Sequence, residues 1–194
     1  EPYRRQRQMC IRDRNITENK KFEQRLLVQS RMDALTKICN RGYGEAQIEK
    51  LLKAKKNGMF LLFDVDKFKH INDTYGHSIG DEVLIQVADA LKQTFEQAGV
   101  CMRLGGDEFA VYAPEITEQM QAETMIQAFF ERIRNIAIPQ MEGDAISVSL
   151  GAVLCAPDRE HVFEKVYQRA DATMYTCKKV IGNSYDFYTG RNPA

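Results

Sequence analysis

The stretch Met59-Phe60-Leu61-Leu62-Phe63 constrains the fold of this chain more than any other. Five consecutive large apolar side chains without polar alternation imply a short strand covered on both faces. Such a strand needs packed layers on each side, and helical periodicity elsewhere supplies them. Residues 43–56 place Ile48, Leu51 and Leu52 inward and end on the Asn57-Gly58 stop signal. Residues 81–97 carry Val83, Leu84, Val87, Ala88, Leu91 and Phe95 on one face and end at Gly99. Further helices are predicted over 117–136, stopped by Pro139, and over 160–180. Residues 145–155 alternate as a strand, and 185–188 read as a closing one. Gly105-Gly106 lies between the apolar runs 100–102 and 109–113, the pattern of a tight β-hairpin whose turn needs positive φ. The order predicts an α/β (α+β) fold, with a mixed, largely antiparallel central sheet of about five strands flanked by helices.

At 194 residues the chain suits one domain with about thirty residues to spare. We place that domain at 33–190 and a linker or signalling helix at 1–32. Residues 1–21 hold seven Lys or Arg against three acids, and Phe22, Leu26 and Leu27 then recur at helical spacing. So thin an apolar stripe either pairs with a second copy, docks on an upstream domain, or stays a solvated arm. No apolar run nears the roughly 20 residues that span a bilayer, and no signal peptide is visible, so no membrane contact is expected. With 27 basic and 27 acidic side chains, a general nucleic-acid-binding surface is not expected either. Five scattered cysteines without a CxxC point to a reduced, cytoplasmic setting.

The buried strand runs into Asp64-Val65-Asp66, and acids two apart in an extended chain share a face. Asp107 and Glu108 follow the two glycines and join them if the hairpin lies alongside. Carboxylates about 4 Å apart repel by roughly 4 kcal/mol at an effective dielectric of 20, so such a cluster needs a cation or raised pKa values. Oxygen-only ligands suit Mg²⁺. Each part has a plainer alternative: a solvated hairpin tip and a solvated strand end. Downstream, residues 67–81 form a polar loop or short helix. There Asn72 and Asp81 can read a guanine edge, or Asp81 can simply cap the next helix. Lys69 reaches a phosphate or stays a solvated turn lysine.

Taken together these segments resemble the GGDEF family of diguanylate cyclases over about residues 33–188. The resemblance rests on Asp33-Ala34-Leu35-Thr36 with Asn40-Arg41, on Asp64 to Lys69 followed by Asn72-Asp73, Gly76-His77 and Gly80-Asp81, and on the signature Arg103 to Phe109. Residues Ser147 to Gly151 and Arg169 to Tyr175 extend it. It implies a fold like the palm of nucleotidyl cyclases and polymerases, and condensation of two GTP into cyclic di-GMP with release of pyrophosphate. By that likeness Asp64, the Val65 carbonyl, Asp107 and Glu108 would hold Mg²⁺, and Asp107 would be the general base. Asn72 and Asp81 would contact guanine with His77 close by, and Lys69 and Lys178 would face phosphates. One GTP per domain implies a homodimer, and the N-terminal segment is similar to connectors that follow PAS-type sensors. A non-catalytic module that binds GTP or a protein partner is the alternative.

Three departures stand out. Glu96-Gln97-Ala98-Gly99 occupies the place of an RxxD product-inhibition motif, so no feedback through that site is expected. Lys37-Ile38 replaces the usual Gly-Leu. An ungapped match puts Ile181 at a glycine and Gly182 at a phosphate-contacting arginine, and a one-residue slip restores only the glycine.

Overall fold

The computed structural model describes residues 30–141, 143–155 and 162–190. The linker helix expected within 1–32 lies outside the described residues except for its last three. Described elements run β1 (Cys39–Asn40), α1 (Arg41–Lys53), β2 (Gly58–Val65), α2 (Phe68–Tyr75), α3 (His77–Phe95), β3 (Val100–Gly105) and β4 (Glu108–Pro114). Then come α4 (Gln119–Arg134), a 3₁₀ turn (Pro139–Met141), β5 (Val148–Cys155), α5 (Phe163–Cys177) and β6 (Ser184–Phe187).

The strands form one six-stranded sheet in the order β1-β3-β4-β2-β5-β6. β2 pairs antiparallel with both β4 and β5, and β3 pairs antiparallel with β4, while β1 on β3 and β6 on β5 are parallel. The sheet is thus mixed and largely antiparallel, with one strand more than expected. The extra strand, β1, is two residues long and has no periodicity to read.

All eight residues of β2 are buried, as an apolar run requires. Its side chains alternate between two cores. Met59, Leu61, Phe63 and Val65 join Val87, Leu91 and Phe95 of α3 and Ile126, Phe129 and Ile133 of α4. Phe60 and Leu62 join Ile48 of α1 and Val166, Ala170 and Met174 of α5. Each fully buried Leu or Phe contributes about 1.5–3 kcal/mol, so the central strand is well anchored on both faces. Phe63 stacks on its register partner Phe109 at 5.3 Å and packs on Phe129 at 5.0 Å. This fastens the β2 end that leads into the acids.

Several boundaries shift by a few residues, and one of the shifts bears on the site. β2 runs through Val65, so the strand ends in the acids as expected, with Asp64 its penultimate residue. The helix expected from residue 81 starts at His77, directly after Gly76 at φ +85°, which separates it from α2. Asp81 therefore sits inside α3 and caps nothing. Among the described residues, no helix is long and apolar enough to cross a membrane.

Candidate active site

Register brings the acids together. Asp64 of β2 lies opposite Glu108 of β4, and Asp107 occupies the two-residue loop with Gly106. Gly106 has φ +56° and Asp107 does not share a positive φ, the signature of a type II′ hairpin turn. The Val65 amide donates to the Asp107 carbonyl at 3.3 Å, tying the loop to the end of β2. By strand parity Asp64 projects to the side of Phe60 and Leu62, toward α5. There Lys178, the C-cap of α5, forms an ion pair with its Oδ2. The other oxygen, Oδ1, is buried without a hydrogen-bond partner.

This crowding shifts protonation. Burial raises the Asp64 pKa, Lys178 partly offsets it, and the Asp107 and Asp66 charges raise it further. Glu108 is likewise raised by burial, then by Asp107, Asp64 and Asp171. The Lys178 ammonium is favoured in turn, chiefly by its hydrogen bond to Asp64.

Arg103 fixes the loop from behind. Its Nε and Nη2 donate to the Gly106 carbonyl at 3.0 and 2.7 Å, and its Nη1 to Asp33 Oδ1 at 3.1 Å. The same Asp33 oxygen accepts from the Thr36 amide at 2.8 Å and hydroxyl at 2.7 Å. Burial opposes the Asp33 charge, but the Thr36 and Arg103 donors outweigh it and hold the carboxyl below its ordinary range. No sequence pattern assigned this role to Arg103, although it opens the signature.

Asp66 is held by two serines of β5 on the face that Asp64 shares, since Ser149 is the register partner of Asp64. The Ser147 and Ser149 hydroxyls each donate to its carboxylate at 2.6 Å, and its amide donates to the Ser147 carbonyl at 2.9 Å. The serines look like ordinary positions of an alternating strand, so their partnership was not legible. Lys67 follows with φ +53°, a left-handed conformation uncommon for lysine, and turns the chain into α2. Asn72 on α2 has a buried, unpartnered Oδ1. It packs against Gly80 of α3, where any Cβ would collide with that oxygen. Asp81, the next residue, is exposed, as are His77 at the start of α3 and Lys69 on α2. Lys178 meets the acids directly, whereas Lys69 stands at the open surface.

The far rim is the segment after α5. Gly182 has φ +86°, so the residue standing at the expected arginine position serves a turn that disfavours a side chain. Asn183 Oδ1 then accepts from the Val148 amide at 3.0 Å, docking the rim onto β5. Ile181 is 99% exposed.

Among the described residues, no three His, Cys, Asp or Glu side chains converge as a ready-made metal cage. Mg²⁺ does not require one, because it binds through one or two carboxylates and completes its shell with water and substrate phosphates. The buried, unpaired Asp64 Oδ1 beside Glu108 fits that mode, as does an all-oxygen donor set.

Comparison with known proteins agrees with this geometry. The family model described as "Diguanylate cyclase, GGDEF domain" matches residues 30–184. The diguanylate cyclase DosC of Escherichia coli is 36% identical over 160 residues, covering 76% of this chain and 33% of the relative. The probable diguanylate cyclase DgcC of the same species is 30% identical over 168 residues, 83% of this chain and 44% of the relative. The chain thus spans less than half of these curated relatives. Among solved structures, the coiled coil and GGDEF domain of Caulobacter crescentus DgcB with c-di-GMP gives a TM-score of 0.83 at 21% identity. It covers 93% of this chain and 97% of that one, which shows the shared fold. Pseudomonas aeruginosa SiaD, solved with its activator SiaC, gives 0.73 at 25% identity over 95% of this chain and 72% of that one. With the family model matched from β1 to the start of β6 and the signature loop set on the sheet, this chain belongs to the GGDEF-domain family of diguanylate cyclases.

Proposed function

We propose that this domain condenses two GTP molecules into cyclic di-GMP and pyrophosphate, each of two copies presenting one nucleotide. The observation that carries this reading is the pairing of Asp64 with Glu108 beside the Asp107 loop, with one buried carboxylate oxygen left unpaired. Asp64, the Val65 carbonyl, Asp107 and Glu108 would hold Mg²⁺, which when bound favours ionisation of the attacking 3′-hydroxyl and offsets charge at the α-phosphate. Asp107 takes the hydroxyl proton from a loop held by Arg103 behind and Val65 in front. Asn72 reads the guanine with its buried amide, Asp81 accepts from the N1 and N2 donors, and His77 lies at the same helix start. Lys178 and Lys69 bind phosphates. The N-terminal segment brings two copies together under the control of a PAS-type sensor upstream.

The test is incubation of the dimerised protein with GTP and Mg²⁺, with cyclic di-GMP read by chromatography. Product should appear, and Asp107→Ala should abolish it while leaving the fold intact. The glycine turn at 182, in place of an arginine, favours a second reading as a GTP-binding regulatory module. GTP binding without product would establish it.

A further inference from the structure

The Lys178–Asp64 contact has a consequence beyond phosphate binding. The Asp64 side chain is only 9% exposed and Lys178 is 44% exposed, so a tethered, partly solvated cation reaches a largely buried acid. Among the described residues Lys178 is the ion-pair partner of Asp64, whereas neighbouring Asp66 is satisfied by two serine hydroxyls. The ammonium thus holds one oxygen of the carboxylate whose second oxygen lacks any partner. A divalent cation approaching that free oxygen meets a positive charge already on the same carboxylate, and like charges at such range repel strongly.

The tether also offers a way out. Lys178 ends α5 at the rim, where no arginine side chain rises from position 182 to meet a polyphosphate. An arriving triphosphate therefore competes with Asp64 for the ammonium.

We propose that Lys178 is a displaceable internal counterion: in the nucleotide-free domain it occupies the cation position at Asp64, and phosphate draws it off so that metal and nucleotide bind with positive coupling. Coupling of this kind is reciprocal, so metal tightens nucleotide by the factor that nucleotide tightens metal. The mechanism holds only if Asp64 is a metal ligand and the substrate a nucleoside triphosphate, as proposed above. It does not require turnover.

Mn²⁺ binding to the full chain is the readout, measured by the electron paramagnetic resonance of free Mn²⁺ at about pH 8, well above the ordinary carboxylate range. Without nucleotide, Lys178→Met should bind Mn²⁺ about tenfold more tightly than wild type, within the usual span of coupling factors. Adding Asp64→Asn should erase that gain. The factor by which a non-hydrolysable GTP analogue tightens Mn²⁺ should shrink in Lys178→Met. Lys178→Gln serves in the same assay if the methionine variant misfolds by circular dichroism. Unchanged or weaker Mn²⁺ binding on removing the lysine overturns the idea, and so does a failure of every form to bind Mn²⁺ even with the analogue. The cyclase assay separates the two readings. Tighter Mn²⁺ binding in the variant with no cyclic di-GMP from wild type removes catalysis and keeps the counterion. Product without tighter Mn²⁺ binding does the reverse.

Discussion

Arg103 fastens the peptide that precedes Asp107 with two nitrogens and reaches Asp33 with a third, so in the proposed reaction it positions Asp107 rather than touching substrate. Loss of such positioning lowers turnover more than binding. Arg103→Ala should cut kcat about 10- to 100-fold with a smaller change in KM for GTP, measured by steady-state kinetics. Arg103→Lys should not restore it, because an ammonium cannot reproduce the planar fork. Glu108 carries a prediction of opposite kind. Its folded pKa is raised, so the folded state loses stability as pH climbs from the ordinary glutamate range through the raised value. Glu108→Gln is free of that loss. Melting curves for the two should converge below the ordinary glutamate range and separate above it, with the variant melting higher at pH 7. A variant that melts lower at pH 7 would contradict the crowded-acid picture. These residues differ in how readily sequence betrays them. Two acids after two glycines stand out as a signature, while an arginine bonded to a backbone carbonyl looks like any surface arginine.

At the scale of elements, the legible parts were those with an unbroken apolar run or a strong period. β2, α3 and the hairpin stand close to where their apolar patterns put them, because burial on one or two faces leaves no other register. The apolar run stops at Phe63 and β2 ends in the acids as expected, paired with β4 as far as Asp64 and with β5 as far as Val65. The start of α3, in contrast, lies earlier than its apolar pattern suggests. Asp81 looks like a cap, but Gly76 opens the helix a full turn earlier, and none of its side chains marks the start. Early opening is what brings Gly80 against Asn72. Gly80→Ala should push the Asn72 amide aside, raising KM for GTP about tenfold or more through the lost polar contact. Fluorescence titration with a GTP analogue checks it, and an unchanged affinity would mean that Asn72 does not read the base.

For the whole molecule, the proposed reaction, with one nucleotide per domain, makes the rate a matter of encounter. Initial velocity should rise with the square of protein concentration while monomer predominates, and a forced dimer should flatten that dependence. Added cyclic di-GMP should leave the initial rate unchanged, since Glu96-Gln97-Ala98-Gly99 has neither the leading arginine nor the closing aspartate of an RxxD site. Inhibition relieved by substitutions in that stretch would refute this. The sheet itself has soft margins, with two residues in β1 and four in β6, around a strand buried along its full length. Amide hydrogen exchange should follow that gradient, with β1 and β6 exchanging through shallow local openings and β2 only on global unfolding. The carboxylate at the end of β2 therefore hangs from the last piece of the domain to let go. Fraying at either margin would weaken the rim and the clamp long before it disturbed the acid, and activity would fade by loosened grip on substrate rather than by loss of the reacting centre.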